Sequence, residues 1–268
     1  IQAVTLTAYL GKDSTSILNF TGTYYPDQFL LYCLEGNVTW AKAGYDPSKV
    51  HARVSDFTID VSKSEFTCDS AFLTHPTYFQ QPVAGRLTDR AVEILSPEKA
   101  TMPRFETYET RFFIDEIYKG VDYEGGLALE GAIVRGTGSN WFPASVKLYR
   151  GDTLATKIIS RNFILSQKSI ISNESSPTLY LGTDSVYHSN LGFSYNTETR
   201  EVGMFRTTSP LSRSPYFDSY HNMDLYFDHL SWDMDNPTIT MSRSRGSSIG
   251  AARFESVSFY NEANFFKL

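Results

Sequence analysis

The sequence predicts an all-β protein. Its antiparallel strands are expected to form a repetitive, solenoid-like stack or an elongated, jellyroll-like β-sandwich with little helix. Phe and Tyr are abundant, with 19 and 17 of the 268 residues, and aromatic side chains pack well across neighbouring strands. Short apolar segments alternate with polar residues at a period of two. Glycines and prolines separate these segments at short intervals, as turns require.

The first part of the chain shows this alternation best between residues 50 and 61, where Val50, Ala52 and Val54 fall on one face. Further strands are predicted over residues 4–10, 17–23, 29–34, 38–41, 66–73 and 83–87. The sequence from Ser96 predicts one short helical turn that Pro103 closes. Residues 1–103 are therefore predicted to be a first β unit.

A second β unit is predicted over residues 104–215, followed by an aromatic and acidic β segment over residues 216–268. Arg150-Gly151-Asp152 is typical of a tight hairpin turn. In the last segment, apolar positions change parity near His229. This change indicates a β-bulge, although Tyr220, Met223, Phe227 and Leu230 also fit the period of a helix.

The glycine-rich stretch 122–138 contains a segment that is similar in sequence to an earlier one. Leu129-Glu130-Gly131-Ala132-Ile133 is similar to residues 34–38, and residues 66–72 are similar to residues 181–187. Either a unit is repeated, with copies that stack their apolar faces, or short strands are alike by chance. The glycines are interpreted as corners where one β layer turns onto the next.

Charge and cysteine content exclude several classes of protein. The net charge of −6 and a pI near 5.4 argue against nucleic-acid binding, which needs clustered Lys and Arg. No apolar run approaches the roughly 20 residues of a membrane helix. The chain opens on Ile1 without a leader pattern, so we expect a mature protein or a section of a longer one. Cys33 and Cys68 are either buried free thiols or one disulfide, and they exclude a disulfide framework.

Six short segments have distinctive amino-acid sequences: residues 36–40, 43–47, 103–106, 121–126, 214–221 and 252–256. These segments resemble very large, poorly characterised proteins of Bacteroidota. The resemblance implies an internal section of an extracytoplasmic, β-rich protein associated with the outer membrane, and it carries over no catalytic residue. The residue pattern of the strands is also similar to that of the OstA-like β-jellyroll repeats of lipopolysaccharide transport.

Two patterns are candidates for an enzyme or metal site. Gly246-Ser247-Ser248-Ile249-Gly250 matches the nucleophile elbow of hydrolases, but no histidine follows Ser248, so a flexible loop is preferred. The carboxylates Asp224, Asp228, Asp233 and Asp235 lie close together in sequence. They are interpreted as solvated strand faces and turns, with a Ca²⁺ site or a glycosidase pair as the alternatives.

Aromatic and hydroxyl side chains supply the remaining candidate sites. A sugar-stacking platform is predicted from Trp40, Trp141, Tyr216, Tyr220 and Trp232, although core packing is the commoner role of tryptophan. Asp followed by Ser or Thr and a small or aliphatic residue fits a pattern that Bacteroidota O-glycosylate outside the cytoplasm. The matching positions are Ser14, Ser70, Thr153 and Ser185.

Taken together, these features favour a non-catalytic envelope or surface section that binds other envelope proteins through exposed strand edges. A carbohydrate-binding β module is the alternative. A glycoside hydrolase and a lipid- or lipopolysaccharide-handling jellyroll are further alternatives that rank below the carbohydrate-binding module. We expect no enzyme activity, no resident cofactor other than the Ca²⁺ alternative, and an extracytoplasmic location.

Overall fold

Side chains alternate between buried and exposed positions along the strands, as the sequence predicts. A computed structural model describes residues 1–63, 65–244 and 252–257. In this part of the chain, helical structure consists of four short 3₁₀ turns, at Pro26–Gln28, Ala41–Ala43, Pro97–Lys99 and Pro210–Arg213. No helix in these ranges is long and apolar enough to span a membrane. The predicted all-β, antiparallel fold class is confirmed.

The chain divides into two compact units. Unit 1 comprises Ile1–Phe112 and Gly126–Arg135, and unit 2 comprises Phe113–Gly125 and Gly136–Leu268. The sequence placed boundaries elsewhere, at residues 103 and 215, and its three β units remain a prediction.

Unit 1 is an antiparallel arrangement in which most strands pair with the next along the chain. Its strands are β1 (Val4–Leu10), β2 (Asp13–Tyr25), β3 (Leu30–Thr39), β4 (His51–Val54), β5 (Phe57–Asp60), β6 (Glu65–Thr74), β7 (Val83–Arg90) and β8 (Arg104–Thr107). The long strand β3 has two short partners, because residues 36–39 pair with β4 and residues 30–33 pair with β5. Long strands thus tie shorter ones into one unit.

The core of unit 1 is built from the inward positions of these strands. Trp40 is fully buried, and its indole Nε1–H donates to the carbonyl of Pro103 at 2.9 Å. Phe20, Phe105 and Leu87 are also fully buried. Cys33 and Cys68 are buried free thiols, and burial raises the pKa of Cys33 to about 12, so neither is a reactive thiolate at neutral pH.

Unit 2 repeats the principle of one long strand with several partners. Its strands are β12 (Ala144–Arg150), β13 (Thr153–Ser160), β14 (Asn162–Leu165), β15 (Ser169–Leu181), β16 (Asp184–Tyr187), β17 (Leu191–Asn196), β18 (Glu201–Phe205), β19 (Tyr216–Asp218), β20 (Met223–Tyr226), β21 (His229–Asp233), β22 (Ile239–Ser242) and β23 (Arg253–Ser256). Strand β15 pairs with β13, β14, β16 and β17. The predicted hairpin at residues 150–152 is confirmed, with Gly151 at φ +59°.

Three more strands contain residues of both units: β9 (Phe112–Tyr118), β10 (Val121–Glu130) and β11 (Ile133–Thr137). Strand β10 changes partner along its length. Residues 121–124 pair with β12, and residues 128–130 pair with β8. The change falls at Gly125 and Gly126, and Gly125 has a φ of +154°. This positive φ favours glycine at the point where the partner strand changes.

Two local expectations differ from the structure. Residues 223–233 form neither a bulged strand nor a helix but two separate strands, β20 and β21, which explains the change of parity. The two segments of similar sequence also differ in conformation: residues 34–38 lie within β3, whereas Gly131 occupies the turn between β10 and β11 with φ +54°. The sequence similarity of these two segments therefore does not correspond to a similar backbone conformation.

Gly131 gives a test of the turn between β10 and β11. A Cβ at this position would lie 2.0 Å from the carbonyl oxygen of Ala100, and φ is +54°. Gly11 has a similar φ of +59° but open space around it. We expect Gly11→Ala to lower the free energy of unfolding by about 1 kcal/mol, and Gly131→Ala by at least about 2 kcal/mol more.

Urea unfolding of both variants measures the difference. Equal losses of stability would contradict the close approach of the Ala100 backbone to Gly131.

Candidate functional site

Three of the five residues predicted to form a sugar-stacking platform are buried, and the prediction is corrected for these three. Trp40 and Tyr216 are fully buried and Trp232 is 6% exposed, so none of these rings offers a face to a sugar. The Trp232 indole instead donates to the carbonyl of Asn236 at 2.9 Å. Trp141 and Tyr220 are 88% and 68% exposed, and they remain candidates.

The four carboxylates proposed for Ca²⁺ do not converge. Asp228 is buried and accepts a hydrogen bond from the backbone of Ser244 at 2.8 Å. Asp233 accepts from the backbone of Asp235, and Asp235 pairs with Arg200 at 3.2 Å. Within the described ranges, no group of three His, Cys, Asp or Glu residues is placed to hold a metal ion. The Ca²⁺ alternative therefore has no support among the described residues and stays a prediction, and three of the four carboxylates, Asp228, Asp233 and Asp235, have other partners.

Arg206 is the centre of a buried polar cluster in unit 2. Its guanidinium donates to the carbonyls of Phe227 at 2.7 Å and Ser214 at 2.8 Å, and also to that of Ser212. Asp228 lies 3.9 Å from Arg206 Nε, and both side chains are about nine-tenths buried. The cluster holds the segment around the 3₁₀ turn Pro210–Arg213. Its role is structural.

The predicted O-glycosylation positions differ in access. Ser70 and Thr153 are exposed, whereas Ser14 and Ser185 are half-buried. Ser70 lies in β6, where the pairing with β7 is irregular between Cys68 and Ala71. Ser70 and Thr153 are therefore the more accessible of the four. The segment around Ser248 lies outside the described residues.

Strand β1 has the least protected edge of the described strands. Its sequence is Val-Thr-Leu-Thr-Ala-Tyr-Leu, without a charge or a proline, the two features with which proteins commonly block an edge. It pairs with β2 on one side, and no strand of the described chain pairs with the other side. Tyr9 and Leu10 are 78% and 51% exposed. The edge strand β22 is only four residues long, and β23 carries charges.

Register shows which amides of β1 face this open edge. The two-residue turn at Gly11 and Lys12 makes Leu10 and Asp13 its flanking pair, which is hydrogen-bonded in hairpins of this kind. Hydrogen-bonded and non-bonded pairs then alternate along antiparallel strands. The N–H and C=O groups of Thr7 and Tyr9 therefore point away from β2, where another strand would find them.

A second feature of unit 1 is a cavity of about 190 Å³ beside Asp89. Asp89 is 1% exposed, and burial raises its pKa to about 6. The sequence analysis did not single out Asp89 as a candidate. Its position was nevertheless informative, because Gly85, Leu87 and Asp89 share the inward face of β7 and a carboxylate at an inward strand position is unusual.

No family model, no curated protein and no solved structure is significantly similar to the chain. Its resemblance to the Bacteroidota proteins therefore stays a proposal.

The structural role of Asp228 can be separated from metal binding by mutation. We expect Asp228→Asn to lower the free energy of unfolding by about 3–5 kcal/mol, because it removes the charge beside buried Arg206. Asp224 is half-buried in β20, and Asp224→Asn is the matched control with a change within about 0.5 kcal/mol. Thermal unfolding with and without millimolar Ca²⁺ provides the measurement. A midpoint that Ca²⁺ raises in the wild type but not in Asp228→Asn would refute the assignment.

His75 predicts an acid-sensitive stability. It is buried, and neither ring nitrogen has a hydrogen-bond partner. Burial lowers its pKa from 6.5 to about 4. The unfolded chain therefore takes up the proton first, so this contribution is complete above pH 6.5 and is lost as the pH falls towards 4. The loss of stability amounts to about 2–3 kcal/mol by pH 4.5.

Urea unfolding at pH 7 and pH 4.5 tests this expectation. His75→Phe retains a ring between Tyr45 and Tyr78 and should lose less stability between the two pH values than the wild type does. An equal loss in both proteins would exclude His75 as the cause.

Proposed function

We propose that this chain is a non-catalytic section of an extracytoplasmic envelope protein that binds other proteins by strand addition. The open edge of β1 is the observation that carries the proposal. The partner is an extended segment of another envelope protein, which would pair antiparallel or parallel with β1.

The geometry of β1 supports strand addition in two ways. The outward N–H and C=O groups of Thr7 and Tyr9 supply main-chain hydrogen bonds, which give such interfaces their affinity. The exposed side chains of Tyr9 and Leu10 add apolar surface on which a partner strand can pack across the pair. No charge on β1 has to be desolvated when the partner pairs with it.

The absence of enzyme activity is part of the proposal. Two of the acidic residues considered for a glycosidase pair have cationic partners, Asp228 beside Arg206 and Asp235 beside Arg200. These pairs support a binding role over a catalytic one.

An extracytoplasmic location is supported by the resemblance to envelope proteins and by the exposed Asp-Ser/Thr positions. Ser70 and Thr153 are accessible for O-glycosylation. A mass increment on the chain produced in a Bacteroidota host, absent from Ser70→Ala, would place the chain outside the cytoplasm.

Glycan binding is a second candidate function, favoured by one observation. Trp141 and Phe142 are neighbours in a turn before β12, and they are 88% and 66% exposed. An exposed indole beside a second ring is a surface on which a sugar can stack. Trp141→Ala should abolish any signal on a glycan array if this candidate is correct.

Strand addition is tested by a pair of variants at one position. Tyr9→Pro removes the outward N–H, and its side chain was already exposed, so β1 should still pair with β2. Tyr9→Thr removes the ring but keeps the N–H, and Thr suits a strand. In pull-downs from envelope extracts, we expect Tyr9→Thr to retain the partner that the wild type binds, and Tyr9→Pro to lose it.

Retention of the same partner by Tyr9→Pro, or failure of the wild type to recover any stable partner, would refute the proposal. Circular dichroism of both variants checks that each is folded.

A further inference from the structure

We propose that the cavity beside Asp89 is a binding site for a small aliphatic zwitterion of the amino-acid class. The ligand's ammonium group would pair with the Asp89 carboxylate, its carboxylate with Lys42, and its aliphatic stem with the apolar wall. This site lies in unit 1 and does not depend on strand addition at β1.

Asp89 has a buried carboxylate without a cationic partner in a salt bridge among the described residues. Its carboxylate accepts hydrogen bonds from the hydroxyl of Thr15 and from the backbone N–H of Arg90, the latter at 2.8 Å. In the described chain, no Lys or Arg nitrogen forms a salt bridge with it. A carboxylate that is 1% exposed and lacks a cation is costly in an apo protein. A cationic group in the cavity would remove that cost.

The wall of the cavity carries charges of both signs. Its lining contains Lys42 and Arg90 as well as Asp89. Lys42 is close enough to stabilise the Asp89 charge, yet burial outweighs this effect and the pKa of Asp89 is raised to about 6. A simple amine would be repelled by Lys42, and a simple acid would leave Asp89 unpaired. A zwitterion satisfies both sides of the cavity.

The size of the cavity and its apolar wall suit a small aliphatic ligand. The cavity measures about 190 Å³, and a cavity of about 150 Å³ is sufficient for benzene. Leu18, Val92, Ile94 and Met102 provide apolar surface, and the lining contains no aromatic ring. A sugar would lack its usual stacking surface here. A branched aliphatic amino acid fits the space, the charges and the wall.

Three matched probes test the proposal: L-valine, isobutylamine, which lacks the carboxylate, and 3-methylbutanoate, which lacks the amine. Isothermal titration calorimetry and NMR titration of the whole chain at pH 7.5 measure their affinities. We expect L-valine to bind about tenfold or more tightly than either of the others, because each single-charge probe leaves one charged wall group unpaired.

Variants of the charged residues should act on different ends of the ligand. Asp89→Asn should weaken valine about tenfold without weakening 3-methylbutanoate, and Lys42→Met should weaken valine without weakening isobutylamine. Asp69→Asn removes an exposed carboxylate that pairs with Arg86 and is the control that should bind valine like the wild type.

The wild-type chain provides a second test that needs no variant. Free valine keeps both of its charges around pH 6, so a loss of valine binding as the pH falls through about 6 reports protonation of Asp89. Absence of valine binding at tens of millimolar would overturn the proposal. So would equal affinity for the three probes, or valine binding that does not change through pH 6.

Discussion

Backbone hydrogen bonding between strands is the constraint on which the rest of this structure depends. In the described chain, helical structure is limited to four short 3₁₀ turns, so buried N–H and C=O groups have to find partners on neighbouring strands. The long strands β3 and β15 meet this demand by pairing with several shorter strands each. Where the pairing stops, as at the outer side of β1, unsatisfied groups become a means of binding.

The two buried carboxylates of Asp228 and Asp89 differ in whether a cationic side chain lies beside them. Asp228 and Asp89 are both nearly inaccessible to solvent, yet their surroundings differ. Asp228 lies beside the guanidinium of Arg206, and this pair anchors a loop in unit 2. Asp89 has a hydroxyl and an amide as partners and faces a cavity. The same residue type is therefore structural in one place and available for a ligand in the other.

Sequence patterns predicted the class of fold and many strand positions because burial with a period of two is a local property. The alternation at Val50, Ala52 and Val54 and the hairpin at Gly151 are both found in the structure. Side-chain access is not local. Nothing near Trp40 in the sequence shows that Pro103, far along the chain, accepts its indole N–H, so a stacking role could not be separated from a core role.

Two other features depended on three-dimensional context in the same way. The carboxylates at residues 224–235 are close in sequence, but strand pairing gives them separate partners such as Arg206 and Arg200. Asp89 was marked in the sequence only by its parity with Leu87. Its cavity requires Lys42 and Met102 from distant segments, which no sequence spacing relates. Local periodicity therefore predicts elements, whereas sites depend on which elements meet.

Residue-resolved amide hydrogen exchange along β1 tests the central claim most directly. If the outer edge of β1 is open, the amides of Leu6, Ala8 and Leu10 exchange slowly in the free chain, while those of Thr7 and Tyr9 exchange rapidly. Binding of the partner strand should then slow exchange at Thr7 and Tyr9. Protection of these two amides in the free chain, or no change in their exchange in the complex, would contradict docking by strand addition.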